Sequence, residues 1–331
     1  MHTPDSAATP ADLVSIDEIR AAATRIAPYA TRTPLLAPPL GDGWAGLYLK
    51  PEMLQPIGAF KIRGAVSAIA ALDPEVRRRG VATHSSGNHA QAVAFAARAF
   101  GIAAHIVIPD VAPERKVAAT RALGAEVELV PMAERVSRAE QVAATTGMTL
   151  IPPFDHRDVI AGQGTIGLEI AEDLGPLPVP VTTVLVPVSG GGLISGIAAA
   201  IAALAPGVAV IGVEPELAGD AAASLRAGHR VAWDAARTVR TCADGLRVPE
   251  IGALPWEHIR RQVADVVTVT EDEILAATRR LALDARLVTE PSGAVPVAAH
   301  LFHAGRLPAG GRVAVLSGGN IDPALLATLV Q

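Results

Sequence analysis

The sequence predicts an α/β protein: two open, mainly parallel twisted sheets with flanking helices. Three observations carry that expectation. Short β-branched runs alternate with Ala-rich amphipathic segments along most of the chain, and such alternation builds parallel sheets with helices on both faces. Glycine-bearing loops follow three of those runs, at the strand ends where open α/β sheets bind ligands. Half of the 331 residues are apolar, enough for a large core split between two domains.

In chain order, residues 1–11 contain Pro, Ala and Thr without an apolar core, so they read as a loose tail and not as a secretory signal. A helix is predicted over 15–29, with Ser15 as N-cap and Glu18 completing a capping box. A short strand follows at 47–49, and beyond Lys61 a helix at 65–72. Strands at 81–83, 104–108 and 126–130 then alternate with helices at 88–100, 113–123 and 133–146. Pro113 suits a first helical turn, and Gly101, Gly124 and Gly147 suit helix ends. Beyond Pro152 the expected order is helix 160–174, strand 183–188, helix 193–205 and strand 209–213. Strand 266–270 precedes helix 271–284, with Thr270 as its cap and Glu273 in the first turn; helix 293–304, strand 313–316 and a last helix close the chain. Polar, proline-containing crossings near Asp73-Pro74 and over 151–158 bracket the first block. Residues 76–155 are therefore expected to form a small domain inserted into a larger one made of 1–75 and 156–331.

Composition removes several functions. The formal charge of −5 is spread with no run of one sign longer than three residues, which argues against nucleic acid and anionic membranes as partners. Cys242 is the only cysteine, so no intrachain disulfide forms. The uncharged run 190–213 is rich in Ala and Gly and is broken by Pro206-Gly207, which describes helix, turn and strand better than a membrane span. The chain reads as soluble and cytoplasmic.

The chemistry centres on Gly58-Ala-Phe-Lys61-Ile-Arg-Gly-Ala65. Of only three lysines, Lys61 sits between Phe60 and Ile62 with small residues beyond. Apolar surroundings strip hydration from an amine and favour its neutral, nucleophilic form, which condenses with carbonyls to a Schiff base. The competing reading is a lysine snorkelling off a core helix. The three loops are Thr83-His-Ser-Ser-Gly-Asn-His89, Ser189-Gly-Gly-Gly-Leu193 and Ser317-Gly-Gly-Asn320. The triglycine loop opens a helix, so its free N–H groups can cradle a phosphate. It lacks the Lys-Ser/Thr pair of a Walker loop. A dinucleotide fingerprint fails too, although Glu214 lies where a ribose-binding acid would, because Ser195 occupies the last glycine position.

Together, the Lys61 octapeptide, Ser85-Ser-Gly-Asn-His-Ala-Gln91, the triglycine loop, Ser317-Gly-Gly-Asn320, Val159-Ile-Ala-Gly-Gln-Gly-Thr-Ile-Gly-Leu-Glu169 and Glu290-Pro-Ser-Gly-Ala294 resemble the fold-type II pyridoxal-phosphate enzymes, like the tryptophan synthase β-subunit in fold. The nearest branch is that of threonine/serine dehydratases (ammonia-lyases) and serine racemases. The resemblance implies that Lys61 carries pyridoxal 5'-phosphate and acts as base on the substrate α-carbon. It implies that Phe60 lies against the pyridine ring, Asn88 bonds its phenolic oxygen, and Ser317 faces its nitrogen. Ser189, Gly190, Gly191, Gly192 and Leu193 would hold the phosphate, and Gly245 and Glu290 complete the cofactor-binding set. Ser85, Ser86, Gly87, Asn88 and His89 would receive the substrate carboxylate. Ser86 would stand opposite Lys61 as a second catalytic group; many dehydratases have alanine there and serine racemases have serine. The stretch Glu214-Pro-Glu-Leu-Ala-Gly-Asp220 resembles the branch's divalent-cation site. Glu214, Asp220 and the Ala218 carbonyl would supply hard oxygen ligands for Mg²⁺ or Ca²⁺; the plain alternative is a solvated acidic loop.

Three departures from the family pattern matter, the first two for substrate and the third for a catabolic-type or racemase-like enzyme. Ala59 replaces the usual serine or threonine, Pro152-Pro153-Phe154 replaces a His-Pro opening, and the chain ends soon after Asn320 without a regulatory domain. The expected activity is β-elimination from L-threonine or L-serine, giving a 2-oxo acid and ammonia. Serine racemisation and 3-hydroxyaspartate dehydration are the alternatives; a non-catalytic cofactor-binding protein and an activated-serine sulfhydrylase are disfavoured. A small hydroxy amino acid is the expected partner and a homodimer the expected assembly.

Overall fold

The computed structural model describes residues 13–37, 41–85, 87–112, 114–175 and 177–331. The expected tail, Pro113 and Ser86 lie outside the described residues. Nine strands are present among them: β1 (Leu47–Pro51), β2 (Val81–His84), β3 (Ala104–Pro109), β4 (Glu126–Val130), β5 (Thr149–Leu150), β6 (Val181–Pro187), β7 (Ala209–Pro215), β8 (Asp265–Val269) and β9 (Gly311–Leu316). They form a five-stranded sheet ordered β1-β9-β6-β7-β8 and a four-stranded sheet ordered β4-β3-β2-β5. Every neighbouring pair in both is parallel. The four-stranded sheet draws all its strands from within 76–155.

The helices are α1 (Ile16–Ile26), α2 (Lys61–Ala71), α3 (Pro74–Arg77), α4 (Asn88–Ala99), α5 (Glu114–Ala122), α6 (Arg135–Thr146) and α7 (Arg157–Asp173). The second half adds α8 (Gly192–Leu204), α9 (Asp220–Ala227), α10 (Ala235–Thr238), α11 (Ala253–Gln262), α12 (Glu271–Leu283), α13 (Pro291–Phe302) and α14 (Pro323–Val330). Both capping boxes are formed: Ser15 with Glu18, and Thr270 with Glu273. Gly101, Gly124 and Gly147 all have positive φ at helix ends, as expected.

The larger sheet is buried on both faces, which is why its strands read as continuous apolar runs. Val184, Val186, Val313 and Val315 face α8 and α11, while Leu185, Ile211, Val213 and Leu316 face α12 and α13. A third core joins Ile62, Val66 and Ile69 of α2 to Val93 of α4, Ile106 of β3 and Val159 of α7. The helix that begins with Lys61 is thus packed between α4 of the four-stranded block and α7 of the larger one.

Two expectations need correction. The helix after Phe60 starts at Lys61, four residues before the expected 65. The glycines near Lys61 discourage a helix by propensity. Here Gly64 serves packing, because its Cα lies 2.7 Å from where a Cβ on Gly162 of α7 would be. The helices α9 and α11 are absent from the sequence-based expectation. Their first turns are capped from afar: Glu214 accepts from Ala221 and Ala222 N–H at 3.1 and 2.9 Å, and Asp155 accepts from Ala253 and Leu254 N–H at 2.8 and 3.0 Å. Gly252, the N-cap of α11, has no side chain with which to announce it.

Candidate active site

Lys61 opens α2, half-buried, with its Nζ 5.1 Å from the Phe60 ring centroid. Burial pulls its amine down from 10.5 to about 8. Its place at a helix N-terminus acts in the same direction, since the positive end of the helix dipole disfavours a cation. Nζ donates to the Pro153 carbonyl at 2.7 Å, so the amine is aimed across the site and does not snorkel to solvent.

Strands β6 and β9 are neighbours at the point where the strand order reverses, and their carboxyl ends carry the other two loops. Ser317 is buried just past β9 and its carbonyl accepts from Phe60 N–H at 3.0 Å. A bridge between Ala59 and Gly318 continues that contact. Past β6, Ser189 Oγ accepts from Val248 N–H at 3.3 Å, and Gly190 O accepts from Gly252 N–H at 3.1 Å. Gly191 has φ +91°, a backbone state that L side chains avoid. A Cβ on Gly190 would sit 2.4 Å from the Phe154 ring. The loop is glycine because backbone and neighbour both forbid a side chain. Gly192 and Leu193 then begin α8, leaving first-turn N–H groups for an anion.

On the four-stranded side, Ser85 follows β2 and its Oγ accepts from Gly87 N–H at 3.2 Å. Asn88, the first residue of α4, donates from Nδ2 to Glu290 Oε1 at 2.6 Å and accepts at Oδ1 from Asn320 Nδ2 at 2.8 Å. Burial first, then Asp244, pushes the Glu290 carboxyl up to about 7, against the Asn88 bond and Lys116. His89 is buried, with Nε2 3.0 Å from the Ile151 carbonyl. A carbonyl only accepts, so Nε2 carries the proton and Nδ1 keeps its lone pair; that Nδ1 is buried without a partner. Burial, and then Lys61, hold the ring's pKa down to about 3, so His89 is neutral. Gly245, in the 3₁₀ turn Asp244–Leu246, donates its N–H to Ser292 Oγ at 2.9 Å.

The structure therefore gathers Phe60, Lys61, Asn88, Glu290 and Ser317, and sets the triglycine loop opposite Lys61 through Pro153-Phe154. Glu214, Ala218 and Asp220 stand apart, at the end of β7. Burial, then Asp220, raises Glu214 well above the carboxylate range. Burial raises Asp220 to about 7, with Glu250 adding and the nearby amides of Asp220 and Ile251 offsetting part. Neither Asp220 oxygen has a hydrogen-bond partner. Among the described residues no group of three or more His, Cys, Asp or Glu gathers as a metal cluster.

Several residues around the site carry no role in the sequence-based expectation. Arg63 is fully buried and donates to Glu52 at 2.8 Å and Glu169 at 2.6 Å, while Lys50 donates to Glu169 at 2.6 Å. This neutral set of four charges ties β1, α2 and α7 together behind Lys61. Breaking one partner would leave a buried charge uncompensated, which costs about 3–5 kcal/mol. A charged residue between Ile62 and Gly64 was the available signal. Pro153, Phe154 and Asn320 had no signal for their contacts.

Fold and site define a class: an α/β protein that sets a lysine amine of lowered pKa before a loop able to hold a phosphate. The model of the pyridoxal-phosphate dependent enzyme family matches residues 26–319. The chain is 40% identical over 316 residues to L-threo-3-hydroxyaspartate ammonia-lyase of Saccharomyces cerevisiae, covering 94% of each. It is 38% identical over 314 residues to serine racemase of Schizosaccharomyces pombe, covering 94% of this chain and 95% of that one. The solved structure of T.th. threonine deaminase superposes with a TM-score of 0.88 at 46% identity, over 93% of this chain and 99% of that one. The protein belongs to the pyridoxal-phosphate dependent enzymes of fold type II, in the branch of amino-acid ammonia-lyases and racemases. Pyridoxal phosphate is its cofactor, and the glycine cradle facing a deprotonatable Lys61 fits it. No helix among the described residues is long and apolar enough to cross a membrane.

Proposed function

We propose that the protein eliminates the β-hydroxyl of L-threonine or L-serine, giving a 2-oxo acid and ammonia. The observation that carries this reading is Lys61, an amine that burial brings to about 8 and so into the range of a general base. Bound cofactor supplies the electron sink for the substrate α-carbon; the chain supplies positioning and proton transfer. Lys61 carries the cofactor and takes the α-proton. Asn88 spends one Nδ2 hydrogen on Glu290 and keeps the other for the ring's phenolic oxygen. The N–H groups of Gly190 to Leu193, with Ser189, bind the phosphate. Gly245 orders the turn beside Ser292, and Phe60 packs on the ring. Ser317 offers the ring nitrogen a neutral hydroxyl where a carboxylate would hold a proton, which favours expelling a β-hydroxyl over transamination. The Ser85-to-His89 loop, at the N-terminus of α4, receives the substrate carboxylate, and 76–155 closes over it as a small domain.

A divalent cation at Glu214, Asp220 and the Ala218 carbonyl belongs to the same proposal. The two Asp220 oxygens, buried with no hydrogen-bond partner and only nearby amides to offset their charge, support it, because a buried carboxylate short of donors calls for a cation. A cytoplasmic homodimer is proposed from the family resemblance. Serine racemisation is a second reading, favoured by Ser86 in the sequence.

The test is release of ammonia and 2-oxo acid from the cofactor-loaded protein with L-threonine, L-serine, D-serine and L-threo-3-hydroxyaspartate. The highest kcat/KM is expected for L-threonine or L-serine, with none for Lys61→Ala. A clear preference for 3-hydroxyaspartate, or turnover by Lys61→Ala, would overturn the proposal.

A further inference from the structure

Four side-chain contacts cross from the four-stranded block to the five-stranded one at the mouth of the site. Lys116 of α5 pairs with Asp244 in the turn Asp244–Leu246, both partly exposed. Arg115 donates to the Ile321 carbonyl at 3.2 Å. Asn88 of α4 bonds Glu290, and Asn320 bonds Asn88. The Lys116–Asp244 contact is the only ion pair among these four.

We propose that the Lys116–Asp244 pair is the clasp that closes the two blocks over the site, and that Glu290, lying between the pair and Asn88, passes its state to the hydrogen bonds around the cofactor ring. The proposal rests on the reading that Asn88 meets that ring.

The electrostatics follow from the neighbours of Glu290. Its carboxyl is buried and titrates at about 7, raised by burial and by Asp244 and lowered by Asn88 and Lys116. Facing it are Asn88 from α4, Asp244 from the 3₁₀ turn, Lys116 from α5 and the Gly318 backbone from the loop after β9; a Cβ on Gly318 would lie 2.6 Å from Glu290 Oε1. With the clasp made, Lys116 stands near Glu290 and favours the carboxylate, an acceptor for Asn88 Nδ2. With the clasp open, Asp244 is uncompensated and favours the acid. A protonated Glu290 has a hydrogen to donate, so the Asn88 amide meets a different partner. Lys116 and Asp244 act here as positioning residues.

The test uses Lys116→Gln, Asp244→Asn, the double variant and Glu290→Gln, all loaded with pyridoxal phosphate. Hydrogen exchange without substrate reads the clasp. Both single variants should speed exchange in α4 and α5, and the double variant should add nothing beyond the larger single effect. Additive effects, or no change, would overturn the clasp. The visible absorbance of the bound cofactor against pH reads Glu290. A transition near neutral pH should move up in Lys116→Gln, down in Asp244→Asn, and vanish in Glu290→Gln. A merely structural pair predicts the same direction for both single variants, and that result, or a transition surviving in Glu290→Gln, would overturn the role of Glu290. These readouts do not depend on substrate, so the clasp can stand if ammonia release fails, and fall if it succeeds.

Discussion

The amine of Lys61 donates to the carbonyl of Pro153 across 2.7 Å, from one helix start to the lead-in of another. A carbonyl acceptor favours the ammonium, yet burial outweighs it and brings the amine to about 8. The contact holds the amine on the side from which Pro153-Phe154 reaches the glycine loop.

The first prediction follows from that amine. Only the neutral form attacks a carbonyl, so the rate at which cofactor-free protein takes up pyridoxal phosphate should rise through pH about 8 and then level off. Visible absorbance after mixing, at a series of pH values, gives the profile. A rate still climbing toward the ordinary lysine value of 10.5 would show a hydrated amine.

The second concerns the acidic pair. Glu214 and Asp220 both titrate above the unfolded chain, Asp220 at about 7. Their contribution to stability is therefore complete below the ordinary carboxylate range and is lost as pH rises above it, the Asp220 part through about 7. Mg²⁺ or Ca²⁺ competes with those protons, so added cation should raise Tm little at about pH 5 and clearly above neutrality, by mass action on the folded state. Asp220→Asn should remove the cation response and reduce the pH-dependent loss, leaving the part that burial imposes on Glu214. A Tm that ignores both chelator and cation at pH about 8 would leave a cation-free acidic pair.

The third tests the helix contact behind Lys61. A Cβ on Gly162 would come within 2.5 Å of the Arg63 carbonyl, a backbone atom that cannot swing aside. Gly162→Ala should cost about 1–3 kcal/mol in denaturant unfolding and lower kcat more than it raises KM, because α2 carries Lys61. Unchanged kcat in a destabilised variant would separate the contact from catalysis.

The fourth belongs to Ser86 and rests on the sequence alone. Racemisation needs a proton donor on the face away from Lys61, and elimination does not. Serine racemisation should be measurable beside a dominant elimination, and Ser86→Ala should suppress racemisation and D-serine elimination while sparing most L-threonine elimination. Equal loss of all three would make Ser86 a general substrate-binding group.

The sequence by itself determined the alternating architecture, the capped starts of α1 and α12, and the lysine and loops of the site. Each of these is written in local signals: periodicity, a capping residue three positions from its partner, or glycine at a strand end. Tertiary structure decided what depends on atoms far apart in the chain. Asp155, 98 residues away in the chain, caps α11, Pro153 holds the amine of Lys61, and Glu290 and Asn320 meet at Asn88. Lys50, Glu52, Arg63 and Glu169 cancel one another's charge only once β1, α2 and α7 have packed. No local pattern encodes such contacts, because a buried charge or an empty cap is tolerable only when the fold brings its partner.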